Sequence, residues 1–243
     1  MASEWVSILV DGQDMRAYVS QPETTGKVPG VIVIMEAFGV NKHIQEVTAT
    51  LSREGYVAVA PVLYHRLGSH PLFSYTGEDA EMRTKAMGSL RDTELTRDLD
   101  ITIAYLKGHA QVRADRLGIV GFCVGGRIAY LAATSCPGLS AAVVYYGGRI
   151  LIPFGEGPTP FARTANIQCP VMGNFGALDQ NPMPDEVRTI EAELKKHGKV
   201  CDFTIYPGAN HGFNCDERPS YHAEAAIDAW ARTRRWFQKY LKA

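Results

Sequence analysis

The sequence has no run approaching the roughly 18 consecutive apolar residues that a membrane-spanning helix requires. Its best candidate, residues 56–64, is interrupted by Pro61. It has no excess of either charge: 25 Lys and Arg face 26 Asp and Glu, a formal charge of −1. That balance gives no electrostatic footprint for nucleic acid or an anionic lipid surface. The start of the chain lacks the basic residues and apolar block of a secretory leader, carrying instead Glu4, Asp11 and Asp14. The five cysteines are an odd number without close pairs, and no Cys/His group has zinc-finger spacing. These absences predict a cytoplasmic protein with free thiols, no disulfide framework, and no metal or organic cofactor. Internal repeats and low-complexity linkers are also missing, so residues 1–243 are expected to form a single domain.

What is present is an alternation of strands and helices. Val6, Ile8 and Val10, a turn at Asp11-Gly12, and residues 15–19 read as a hairpin. The run 31–35, Val-Ile-Val-Ile-Met, has the length and β-branching of a strand buried on both faces. Residues 42–54 place Ile44, Val47 and Leu51 on one helical face, with Gly55 as the stop. A strand at 56–60 follows, then a polar loop holding His65 and His70 that is expected to flank the site, then a long helical region over 79–108. The second half predicts strands at 117–121, 141–146, 171–175 and 201–206, and helices at 125–136, 185–197 and 221–241. Such alternation predicts an α/β fold, a mostly parallel central sheet with helices on both faces.

The stretch from Gly121 to Gly125 reads G-x-C-x-G between a predicted strand and a predicted helix. This is the context of a nucleophile elbow, in which small neighbours permit a sharp turn that lifts the nucleophile above the sheet. A helix N-terminus beneath the sulfur favours a thiolate and an oxyanion alike. A buried cysteine in a glycine-rich phosphate loop would share the pattern. Two later residues separate the readings. Asp179 directly follows the 171–175 strand, and His211 directly follows the 201–206 strand. Both occupy carboxyl ends of strands, where open parallel sheets hold ligands, and their order is nucleophile, acid, histidine. Taken singly, Asp179 could be a helix cap and His211 an ordinary loop residue. Together they predict the triad Cys123, Asp179 and His211. His43, His109, His197 and His222 are read as helix-end or surface residues, without assigned chemistry.

With these residues assembled, the chain resembles the dienelactone hydrolase (carboxymethylenebutenolidase) family of α/β-hydrolases. The resemblance rests on the segments 35–41 (MEAFGVN), 121–126 (GFCVGG), 145–147 (YYG) and 208–213 (GANHGF). It implies that Glu36 contacts the nucleophilic thiol and takes its proton when substrate binds. It also implies an oxyanion hole made by the backbone N–H groups of Ala37 and Val124. Independently, a carboxylate such as Glu36 at the end of a buried apolar strand calls for a partner. In the family two arginines hold the substrate carboxylate, one in the mid-chain helical region and one four residues after the histidine. Here Arg83 is the candidate for the first, while Cys215 occupies the second position and Arg218 stands nearby. Phe38 and Tyr145 complete the expected substrate-binding set. The implied activity is hydrolysis of an enol-lactone or small ester through an acyl-cysteine, in a monomer or small homo-oligomer whose partner is a small molecule. The alternatives are a carboxylesterase of broad specificity on activated esters and, in a different class, a non-catalytic or redox-sensing α/β-hydrolase-fold protein.

Overall fold

The computed structural model describes residues 1–68 and 70–243. Among the described residues eight strands form one sheet in the order β1-β2-β4-β3-β5-β6-β7-β8. The hairpin β1 (Ala2–Val10) and β2 (Gln13–Gln21) is antiparallel, and β2 joins β4 (Val57–Pro61) antiparallel as well. From β4 onward the sheet is parallel through β3 (Val28–Ile34), β5 (Val112–Phe122), β6 (Ala141–Tyr145), β7 (Val171–Gly176) and β8 (Cys201–Tyr206). Strands β3, β4 and β6, and β5 from Leu117 onward, carry Val, Ile and Ala that are almost wholly buried, which explains why these segments are continuous apolar runs. The first half of β5 is polar and partly exposed, so the strand begins before the expected residue 117.

The helices are α1 (Lys42–Arg53), α2 (Ala80–Ser89), α3 (Asp92–Gly108), α4 (Val124–Ser135), α5 (Pro184–Lys196) and α6 (Ala223–Leu241). Helix α1 starts where Asn41 caps it, its side-chain oxygen accepting the Ile44 N–H at 3.2 Å. The expected helical region over 79–108 is two helices. Leu90 and Arg91 adopt extended ψ angles of 137° and 135°, and the break lets Asp92 begin α3 with its carboxylate buried. That carboxylate accepts bonds from Arg127 at 2.6 and 3.0 Å and from the Phe154 N–H at 3.0 Å. A buried ion pair of this kind survives because every charged atom is hydrogen-bonded. It fixes α3 and α4 against the loop after β6, so the loops at the carboxyl ends of the strands sit on a rigid base. His65, expected in a loop beside the site, is instead buried in the 3-10 turn His65–Leu67. There it lies 3.3 Å from Asp98, which Arg66 grips with two bonds of 2.7 Å. It packs against the Arg66–Asp98 ion pair within the fold.

Candidate active site

A single residue separates β5 from α4, which forces a sharp turn in the centre of the sheet. Cys123 occupies it with φ 58° and ψ −121°, a conformation that costs a non-glycine residue free energy and persists only where the surroundings enforce it. The enforcing contacts are visible. The Cys123 N–H donates to the Tyr145 carbonyl on β6 at 3.1 Å, and the Cys123 carbonyl accepts the Gly126 N–H at 3.0 Å. A Cβ on Gly121 would collide with the Gly125 carbonyl, and one on Gly125 would stand 2.5 Å from the Ile34 carbonyl oxygen. The two glycines are therefore required by the closeness of the strand, the turn and the helix. Val124 is the first residue of α4, where a backbone N–H has no partner within the helix. Ala37 lies just beyond β3, with its carbonyl accepting the Tyr64 hydroxyl at 3.1 Å.

Asp179 and His211 reach this turn from β7 and β8. Asp179 is 1% exposed, and its Oδ2 is 2.9 Å from His211 Nδ1. Its other oxygen accepts the Asn181 N–H at 2.8 Å, which locks the carboxylate plane. His211 and Cys123 face each other across one cleft. Burial opposes the charged imidazole, but the neighbouring Cys123 sulfur and Asp179 carboxylate more than offset it and raise its pKa to about 10. Cys123, Val124 and His211 line a small cleft together with Met87, Gly148, Arg149, Phe154 and Asn181. The structure thus brings together the three side chains that sequence order had connected.

Glu36 is fully buried at the end of β3, and its partner is Arg218: Arg218 Nη1 donates to Oε1 at 3.1 Å. The second carboxylate oxygen, Oε2, has no hydrogen-bond partner among the described residues. Burial pulls the Arg218 pKa down, but the charges of Glu36 and Cys123 outweigh that and raise it, so this guanidinium feels both groups. Arg218 also lies over the Phe38 ring at 5.4 Å, and Arg83 from α2 lies over the same ring at 4.8 Å. The two arginines converge on Phe38 although they are far apart in sequence. Arg83 is braced by the Ser74 carbonyl at 3.3 Å. Cys215, where the family resemblance calls for an arginine, is fully buried and donates its thiol to the Tyr75 hydroxyl at 3.4 Å.

Tyr145 does not join the substrate-binding set expected of it. Its side chain is fully buried and its hydroxyl pairs with Thr233 of α6 at 2.7 Å, so it is a core residue whose carbonyl, not phenol, serves the site. The neighbouring Tyr146 is the one that faces the triad, with its ring 5.1 Å from that of His211 and φ at 37°. The Tyr146 hydroxyl is buried without a partner among the described residues. Both tyrosines stand in the 145–147 segment, but β6 is buried on both faces, so apolar patterning carries no phase to choose between them.

Comparison with known proteins agrees with this architecture. The model of the dienelactone hydrolase family matches residues 15–241. A Synechocystis sp. protein named "Putative carboxymethylenebutenolidase" is 40% identical over 240 residues, covering 98% of this chain and 96% of that protein. A Bradyrhizobium sp. protein named "Probable 2-oxo-3-(5-oxofuran-2-ylidene)propanoate lactonase" is 34% identical, covering 96% of this chain and 92% of its own length. Among solved structures, that of a "Putative Dienelactone Hydrolase" from Klebsiella pneumoniae superposes with a TM-score of 0.88 at 36% identity, covering 98% of this chain and 99% of the other.

Proposed function

The chain belongs to the dienelactone hydrolase family, whose members are ester and lactone hydrolases of the α/β-hydrolase fold, and we propose that it cleaves a carboxylate-bearing enol-lactone through an acyl-cysteine on Cys123. The observation that carries this reading is the Cys123 elbow paired with a His211 that Asp179 holds at 2.9 Å. The imidazolium of His211, which its neighbours favour, stands ready to hold the thiolate once Cys123 gives up its proton. The sulfur attacks the lactone carbonyl, and the negative charge that develops on oxygen is received by the Ala37 and Val124 N–H groups. Such donors are worth about 3–4 kcal/mol each in the transition state. The C–O bond breaks, and His211 gives its proton to the departing enolate. Water, deprotonated by the now neutral His211, attacks the thioester and releases the acid, returning the sulfur to its starting state. An enolate is a good leaving group, which suits a thiol nucleophile because the adduct must expel oxygen rather than sulfur.

Recognition of the acid falls to Arg218 and Arg83. Their convergence on Phe38 supports a carboxylate clamp in which Arg218 takes the role for which the resemblance had a residue at position 215. A substrate carboxylate reaching Arg218 competes with Glu36 for the same guanidinium. Glu36, freed of its ion pair, is then available as the base that takes the Cys123 proton. Two substrates test this reading: a dienelactone bearing a carboxylate and an uncharged aryl ester of similar size. The proposal expects kcat/KM to favour the former and Arg218→Ala to abolish that preference. Equal turnover of both by the unaltered enzyme would support the broad carboxylesterase instead.

A further inference from the structure

Away from the triad, the loop between β8 and α6 meets the first turn of α1. Here His43, Cys215 and Asp216 each offer a ligand atom, and the three atoms lie within 4.8 Å of one another. None of them serves the proposed hydrolysis. His43 is 6% exposed, and its Nε2 is buried without a hydrogen-bond partner among the described residues. A buried imidazole nitrogen left without a partner is costly unless something binds it. His43 and Asp216 also line a cavity of about 400 Å³ that continues past Glu46, Tyr221, Trp230 and Arg234. A cation could therefore reach the cluster from solvent and retain a water on the cavity side.

From this geometry we infer a binding site for a zinc-like divalent cation, held by the His43 imidazole, the Cys215 thiolate and the Asp216 carboxylate, with water as the fourth ligand. The donor set selects the class. A thiolate and an imidazole disfavour magnesium and calcium, which prefer oxygen, and suit zinc or cobalt. With metal–ligand bonds of about 2.0–2.3 Å, tetrahedral ligand atoms stand roughly 3.5 Å apart. The cluster needs to contract by about 1 Å from its upper spacing, and the exposed Asp216 side chain is free to make that movement. Binding forms a metal–sulfur bond and releases the Cys215 thiol proton to solvent. Thiolate and carboxylate then balance the two positive charges of the ion. Because the Arg218 N–H donates to the Cys215 carbonyl at 3.1 Å, an ion here would tie α1 to the loop that presents Arg218 and His211. His43 stands 172 positions before the adjacent pair Cys215 and Asp216, so sequence spacing gives no sign of the cluster.

The test uses Co²⁺ and the Cys123→Ser variant, so that the catalytic thiol and His211 cannot themselves supply a sulfur–metal bond. One cobalt per chain is expected, with a thiolate-to-cobalt charge-transfer band in the near ultraviolet and strong visible bands of tetrahedral cobalt. The band should vanish in Cys123→Ser/Cys215→Ser. Asp216 is exposed, so Asp216→Asn in the Cys123→Ser background keeps the fold, and it should weaken cobalt binding at least tenfold. Absence of the charge-transfer band in Cys123→Ser would overturn the site, as would its persistence without Cys215. If the Cys215 variant does not fold, the Asp216 variant decides: unchanged cobalt affinity there overturns the assignment.

Discussion

Arg218→Ala removes the guanidinium that contacts Glu36, and the structure sets the size of the effect. Glu36 has no exposed surface, and among the described residues its Oε1 is held only by Arg218, at 3.1 Å, while its Oε2 has no partner. Breaking a buried ion pair from one side typically costs 3–5 kcal/mol, because a charge is left in low dielectric without compensation. The Arg218 side chain is 18% exposed, so part of the attraction is already screened, and the expected loss is at the lower end, about 3 kcal/mol. For a chain of this size that corresponds to a fall in Tm of roughly 6–12 °C. Glu36→Gln is the complementary perturbation. It leaves Arg218 short of one acceptor, but this side chain can turn to solvent, so the cost should be near 1 kcal/mol. The double variant Glu36→Gln/Arg218→Ala should then be more stable than Arg218→Ala alone. Urea denaturation of the four proteins gives the coupling directly. A loss below about 1 kcal/mol in Arg218→Ala, or strictly additive effects in the double variant, would refute the claim that Glu36 is a buried charge held by this pair.

Iodoacetamide at neutral pH should modify Cys123 before the other four thiols, as peptide mapping would reveal; burial pushes Cys169 up to about 12 and Cys215 up to about 11, and Cys136 higher still. Prior labelling of any of these would contradict the elbow assignment. Tyr145→Phe should cost about 1 kcal/mol through loss of the Thr233 bond and leave kcat/KM unchanged, whereas Tyr146→Phe, whose hydroxyl has no partner among the described residues, should be neutral or slightly stabilising in thermal melts. The imidazolium of His211 is favoured by folding, so its contribution to stability is complete below its unfolded value of 6.5 and is lost as pH rises through about 10. Denaturation at a series of pH values between 7 and 9.5 should therefore show a fall in stability that His211→Gln lacks; equal slopes in both proteins would place the proton elsewhere.

The positions of Cys123, Asp179 and His211 were readable in the sequence because α/β alternation fixes where each strand ends, and all three sit at strand ends. Glycine spacing around Cys123 added the turn. The arginine that meets Glu36 was less legible. Resemblance pointed to position 215, and only the path of the loop after β8 shows that Arg218, three residues later, reaches Glu36 and Phe38. Tyr145 was placed in the site wrongly for a related reason. Alternation distinguishes faces only when one face is wet, and β6 has none. The division of the 79–108 region into α2 and α3 depends on the Asp92–Arg127 ion pair, a contact between residues 35 positions apart that no local pattern records. Helix ends fared better: His109, His197 and His222 do sit at helix termini, the last accepting the Ala225 N–H at 3.3 Å.

The central claim, a covalent acyl-cysteine, is tested most directly by mass spectrometry of the enzyme quenched in acid during turnover of an activated aryl ester. The account predicts a mass increase equal to the acyl group, located on the peptide containing Cys123 and absent from Cys123→Ala. Turnover at the normal rate with no adduct on Cys123, or an adduct that persists in Cys123→Ala, would contradict it.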